Sequence, residues 1–291
     1  MTFASAAYKE LVYGGHLLAL GTSSMAATAA WVMGTTPTWD LLLMAYLFSF
    51  GGYSINRISD FGQDAVSHPE RTAYLKNRMG WLKAAVISCF GVGYFLAFLR
   101  NLVFFSALLI PLFLAFAYSV GSGRMKARIG ASRLKEITLV KNVTVSLGWS
   151  LVPFLVGLYY LQLPVAVFAL APFIFLRLMV NTIFFDQRDM SADASFGVRT
   201  LPVKMGIAGS SRVMDVLDLA SGVYLAIAAV SGLLPVFAAG LLVFVPYSFA
   251  YRLYAKSGKH KDSVRDLVAD GEYLLWGLVT AVGRVILLGH I

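Results

Sequence analysis

Charge is what this 291-residue chain has least of: 13% of its residues are Asp, Glu, Lys or Arg, against about 25% in a soluble domain. That deficit excludes a water-covered surface over the whole chain. Hydrophobic residues make up 58% and the mean hydropathy is +0.73. The chain has one cysteine, Cys89, which excludes a disulfide within the chain and any thiolate metal site. Lying inside an apolar run, Cys89 reads as a small buried residue. Low-complexity segments are absent, and no polar stretch is long enough for a separate soluble domain, so residues 1–291 read as a single transmembrane domain. A cleavable signal peptide is not expected: the first apolar run follows only Lys9 and Glu10, lacks a small-residue cleavage site and reads as a first span.

What is present is a succession of apolar runs of membrane-crossing length, which needs roughly 20 residues for about 30 Å of hydrocarbon. They predict an all-α membrane protein with about nine spans, near 11–34, 39–59, 81–99, 102–120, 138–160, 164–185, 213–233, 235–254 and 271–290. The net charge of +9 is placed unevenly. Twenty of the 24 Lys and Arg fall in four long connections, after spans two, four, six and eight, while the short turns between hold only Arg100. By the positive-inside rule those connections and the N-terminus are cytoplasmic and the C-terminus is outside. The basic excess is therefore a topology signal, and no nucleic-acid partner is expected.

Two of those connections begin with acidic clusters. The first reads Asn56-Arg-Ile-Ser-Asp60-Phe-Gly-Gln-Asp64 and the second Asp186-Gln-Arg-Asp189-Met-Ser-Ala-Asp193. Steps of three and four residues keep each triplet on one helical face. Ionised carboxylates beside hydrocarbon cost several kcal/mol unless paired or coordinated. Arg57 and Arg188 are too few to neutralise five aspartates. A hard dication such as Mg²⁺, taking oxygen ligands and bridging to substrate phosphates, resolves the excess. Facing each other across a cavity, the two stripes would hold a diphosphate through the metal and stabilise its departure.

These two motifs, with the tail Gly197-Val-Arg-Thr-Leu-Pro-Val-Lys-Met-Gly206, resemble the UbiA superfamily of intramembrane prenyltransferases, over nearly the whole chain. The resemblance implies a ring of nine helices around a lipid-open central cavity, with Mg²⁺ and a prenyl diphosphate held by the aspartate motifs. Carried over by position, Asn56, Asp60, Asp64, Asp186, Asp189 and Asp193 are the expected metal ligands, and Asp60, Asp64, Asp186 and Asp189 the catalytic carboxylates. Asn56 with the loop cations Arg71, Lys135 and Arg199 is expected to meet the diphosphate through charge-assisted hydrogen bonds. Two departures stand out. Arg57 replaces the aspartate that usually follows the motif asparagine. In the loop after span four, Lys135 matches the lysine of the family's YxxxK, but Ala131 stands at the tyrosine position, leaving Tyr118 as a substitute.

The implied reaction is Mg²⁺-dependent transfer of an isoprenyl group to a lipophilic acceptor, either a quinone precursor, an aromatic compound or a lipid, with release of pyrophosphate. The expected partners are the prenyl diphosphate, that acceptor and membrane lipids. A terpene cyclase of the same superfamily is the alternative enzyme. A secondary transporter, with carboxylates binding a coupling ion, is the non-enzymatic one. Arg177, inside span six, lies nine residues before Asp186 and so on roughly the opposite side of its helix; either a structural partner on another span or a substrate role is expected. His16 reads as a hydrogen-bonded structural residue within span one, and most of the aromatics, 14% of the chain, as lipid contacts and interfacial belt.

Overall fold

A computed structural model of the chain describes residues 3–119, 138–256 and 264–289. Helix α1, Phe3–Tyr8, runs into a π-helical turn, Lys9–Tyr13. Gly15, at φ +92°, then redirects the chain into α2, His16–Val32, a backbone conformation that other residues adopt only with strain. Trp39–Ser59 forms α3, and two short helices follow it, α4 at Phe61–Ser67 and α5 at Pro69–Lys76. The fixed φ of Pro69 suits the first turn of α5. Next come α6, Met79–Arg100, and α7, Leu102–Ser119.

Beyond residue 137 the chain continues as α8, Val140–Ser150, and α9, Val152–Tyr159. The long helices α10, Val165–Ser195, and α11, Leu201–Val230, come next. A 3₁₀ run, Val236–Val243, leads into α12, Phe244–Lys256, and a π-helical turn, Val264–Ala269, leads into α13, Asp270–Leu288.

All these elements are helical, as the composition predicts. By length and apolarity, six helices among the described residues can cross a membrane: Met79–Arg100, Val140–Tyr159, Val165–Ser195, Leu201–Val230, Val236–Lys256 and Arg265–Leu288. The expected count was about nine. The runs at α2 and α3 are present as helices. However, α2 has 17 residues, and the last nine residues of α3 carry Gly, Ser, Asn and Arg, so neither is both long and apolar enough to join the six.

The helices pack in succession, α2 on α3, α3 on α6, α6 on α7, α7 on α9, α8 and α9 on α10, and α10 on α11. The 3₁₀ run and α12 then connect α11 to α13, and α13 packs along α2. Helices α2 and α13 thus meet in a seam. Its contacts join Gly21 to Tyr273, Ser24 to Leu274 and Gly277, and Thr28 to Thr280, so the two helices run in the same direction. A Cβ on Gly277 would lie 2.5 Å from Ser24 Oγ, so only glycine permits this approach. The main apolar core gathers Met25, Met44, Phe104, Phe173, Leu225, Phe237 and Trp276 from seven elements around one end of the bundle. The aspartate motifs stand at the other end.

Candidate active site

The first motif straddles a helix junction. Asn56 lies on α3, Asp60 is the break residue (φ −101°, ψ 10°) and Asp64 lies on α4. Even so, the Asp60 amide donates to the Asn56 carbonyl at 2.9 Å and the Asp64 amide to the Asp60 carbonyl at 2.9 Å. The four-residue spacing therefore survives the break. Arg71, on α5, donates to Asp64 Oδ2 at 2.9 Å. Arg57 turns away from the stripe. It is buried, stacks 4.3 Å from the Tyr53 ring centre, and donates to the carbonyls of Tyr13 and, at 3.1 Å, Val12. It thus caps the C-terminal end of the π-helical turn, where a cation is favoured.

The second motif lies wholly on α10, which continues ten residues beyond the span expected from hydropathy. Asp186 and Asp193 are buried, and Asp189 is partly exposed. Lys141 Nζ donates to Asp186 Oδ1 at 2.6 Å and Asn142 Nδ2 to Oδ2 at 2.7 Å, both from the start of α8. Arg188 reaches Asp189 at 3.0 Å and Asp266, ahead of α13, at 2.5 Å.

One contact brings the motifs together: His68 Nε2, between α4 and α5, lies 3.1 Å from Asp189 Oδ1. Among the described residues no three His, Cys, Asp or Glu side chains converge as a ligand set. The motif carboxylates and Asn56 offer only oxygen donors, which suits a hard divalent cation. In this arrangement Arg71, Lys141, His68 and Arg188 occupy coordinating oxygens of Asp64, Asp186 and Asp189, and would have to yield to the ion. Arg199 is exposed just beyond the motif. Lys135 and Ala131 lie outside the described residues, and Tyr118 is described in backbone only.

His68, Asn142 and Asp266 were not signalled by the sequence. Lys141 was not among the loop cations assigned to the diphosphate from the sequence, yet it reaches Asp186 directly. The one available signal was position, since Lys141-Asn142 opens the helix packed on α10.

A second ionic cluster lies deeper. Arg177 on α10 holds Glu272 of α13 at 2.7 Å through Nη2, bonds Asp218 of α11, and donates to the Phe244 carbonyl at 3.0 Å. Asp218 also takes Arg252 at 2.5 Å and Ser248 at 2.7 Å, and Arg252 reaches Asp215 at 2.7 Å. Four helices are tied together, and the partner expected for Arg177 on another span is Glu272 and Asp218. His16 pairs with Tyr46 at 2.5 Å and stacks on Phe50, a packing role.

At the surface beside the first motif, Glu10 accepts from Tyr74 and, at 2.8 Å, from Arg78. The Tyr74 hydroxyl holds the Glu10 carboxyl below its usual value, with help from Arg78, while burial pushes the Tyr74 phenol up to about 12.

Residues 17–277 match the model of the UbiA prenyltransferase family. The digeranylgeranylglyceryl phosphate synthase of Methanopyrus kandleri is 29% identical over 190 residues, a match spanning 62% of this chain and 62% of that protein. In fold, the chain is similar to a UbiA homolog from Aeropyrum pernix K1, with a TM-score of 0.65 at 17% identity over 93% of this chain and 97% of that one. It is also similar to a UbiA homolog from Archaeoglobus fulgidus bound to GPP and Mg²⁺, with a TM-score of 0.65 at 15% identity over 94% and 98% of the two chains.

Proposed function

The chain belongs to the UbiA prenyltransferase family, and we propose that it transfers an isoprenyl group from a prenyl diphosphate to a lipophilic acceptor, releasing pyrophosphate. The observation that carries this reading is the joining of the two aspartate motifs at one end of the bundle by the 3.1 Å contact between His68 and Asp189, within a fringe of cations. Two acidic stripes so joined form a locus for a metal–diphosphate complex and have no obvious purely structural use.

Asn56, Asp60, Asp64, Asp186, Asp189 and Asp193 are the residues we assign to Mg²⁺; that the Archaeoglobus fulgidus protein of similar fold is bound to GPP and Mg²⁺ supports the choice of metal. When bound, the metal supplies positive charge against the departing diphosphate. The chain's own residues do the rest. Asn142 keeps hold of one oxygen of Asp186 while Lys141 yields the other to the ion, and Arg188, yielding Asp189, stays on Asp266. We assign Arg71, Lys135 and Arg199, with Asn56, to the diphosphate oxygens. Released from Asp64, Arg71 can swing to phosphate while the carboxylate turns to the metal. Apolar side chains deeper in the bundle exclude water from the allylic carbocation. The relative's name, digeranylgeranylglyceryl phosphate synthase, favours a lipid acceptor over an aromatic one. Charge placement supports a cytoplasmic motif end and N-terminus, with the C-terminus outside.

The test is pyrophosphate release by the purified chain in nanodiscs, supplied with isoprenyl diphosphates of several lengths and candidate acceptors. Release that needs Mg²⁺ and fails in Asp60→Ala and Asp189→Ala supports the reading. No release with any donor, from folded protein, overturns it.

A further inference from the structure

Arg177 and Arg284 are both buried arginines on apolar helices, and they differ in their partners. Arg177 reaches two carboxylates and a carbonyl. Arg284, on α13 and 5% exposed, has no carboxylate within ion-pair distance among the described residues. Its guanidinium makes one hydrogen bond there, a 3.4 Å donation from Nη1 to the Thr35 carbonyl just beyond α2. Nε is enclosed without a partner, and Nη2 has none either. These two nitrogens share one edge of the planar fork, so a whole donor edge of the cation is unspent. A covered cation is costly unless an anion meets it. A snorkelling arginine escapes that cost by keeping its head in water, which this one does not.

The seam explains how Arg284 comes to lie there. Gly21, Ser24 and Thr28 of α2 face Tyr273, Gly277 and Thr280 of α13. A further step of three or four residues on each helix puts Trp31 and Arg284 in the next layer. The Trp31 indole Nε1 is likewise enclosed and without a partner among the described residues. A Cβ on Gly283 would lie 3.2 Å from the Phe237 carbonyl oxygen, so glycine lets the 3₁₀ run close in. The Phe237 ring centre then stands 5.8 Å from the Arg284 guanidinium carbon. Arg284 is four residues from the end of α13, about 6 Å along its axis, at the end of the bundle away from the aspartate motifs. The neighbouring surface is apolar, with Val236, Val282, Val285 and Ile286 all exposed.

The geometry points to a binding site for the phosphate of an anionic membrane phospholipid at this end of the seam. Two phosphate oxygens take Nε and Nη2 of Arg284 side by side, and one of them also accepts from Trp31 Nε1. The acyl chains lie along Val236, Val282 and Ile286. A free phosphate would satisfy the same donors but leave that apolar flank uncovered. The bound lipid neutralises the cation and ties α2 to α13 where their direct hydrogen bonds end, a task separate from the chemistry at the aspartate motifs.

The test is a thermal melt of the full chain, depleted of lipid in a neutral detergent, with phosphatidylglycerol, phosphatidylcholine or inorganic phosphate added. Phosphatidylglycerol at about a hundred times its Kd should raise the wild-type Tm by about 5 °C, and the other two should raise it far less. Arg284→Met should weaken the Kd for phosphatidylglycerol about tenfold. Without lipid the same variant should melt no lower than the wild type, because the unpaired charge is gone. Trp31→Phe should weaken the Kd about threefold. Arg100→Met, which removes an exposed cation at the same end of the bundle, should leave it unchanged. An equal response to phosphatidylcholine overturns the proposal, and a response to inorganic phosphate as large as that to lipid overturns the lipid as its source. An Arg284→Met chain that loses the same stability with and without lipid also overturns it, since that is the behaviour of a helix cap. Should Arg284→Met fail to fold, Trp31→Phe decides, and an unchanged Kd there overturns the site.

Discussion

The chain builds two ionic clusters from the same residue types, and they differ in how their charges are met. In the deep cluster Arg177, Asp218 and Glu272 are at most 2% exposed, and their partners come from four long helices. Each charge there is shared among several neighbours. At the motif end the pairs are simpler: Asp64 with Arg71, Asp186 with Lys141 and Asn142, and Asp189 with Arg188 and His68. Several of those partners come from short helices or helix ends, and Lys141 is 30% exposed. A cluster closed on itself holds helices together and has nothing left for a ligand. A cluster whose partners can move exchanges them for one. Burial of charge alone therefore does not mark the site; replaceable partners do.

The sharpest way to break this contrast is to remove one charged residue from each cluster. Asp186→Ala should lower pyrophosphate release by about 10³-fold with little change in melting temperature, as expected for charge stabilisation at the reacting group. In the deep cluster, Arg177→Leu should act on stability, costing about 3–5 kcal/mol because Glu272 is left buried without its cation and Asp218 keeps only Arg252. Denaturant titration in detergent reads it, and adding Glu272→Met and Asp218→Leu should recover much of the loss. An Arg177→Leu chain of unchanged stability but no activity would merge the two clusters into one functional unit.

A smaller effect is expected at Lys141→Met. Asn142 still holds one oxygen of Asp186, so the donor KM should rise about tenfold with the fold intact. The smallest lies outside the bundle. Since the folded-state pKa of Glu10 is lowered, its contribution is present above the unfolded value near 4.5 and fades as pH falls through the folded value. Thermal melts of wild type and Glu10→Gln should differ at neutral pH and converge on acidification. A constant gap would deny Glu10 that role.

Both motifs were legible because helical spacing places carboxylates on one face whatever surrounds them. The helical class was legible too, since apolar runs of that length leave the backbone no other way to satisfy its polar groups in lipid. The partners were not. His68 and Asp189 are 121 residues apart and Arg188 and Asp266 78, and no local pattern distinguishes such a histidine from a solvated one. The partners of Arg177 could have been anticipated, because Asp218 and Glu272 are among the few acids within apolar runs and an intramembrane cation needs such acids. Arg57 was read as a lost ligand beside the metal; its geometry shows a helix cap, because its direction depends on the preceding turn and not on the motif.

The seam between α2 and α13 sets the order of assembly. Ser24 meets Leu274 across 250 positions, so the wall they form cannot exist until the final span has left the ribosome and entered the bilayer. Until then α2, rich in Ala, Gly, Ser and Thr, has its packing face turned to lipid, where small residues gain little. Closure of the bundle at this seam therefore joins an early-made segment to one made 250 positions later. A nascent chain halted before Trp276 would be an open crescent, with its aspartates already made and no enclosure in which to use them.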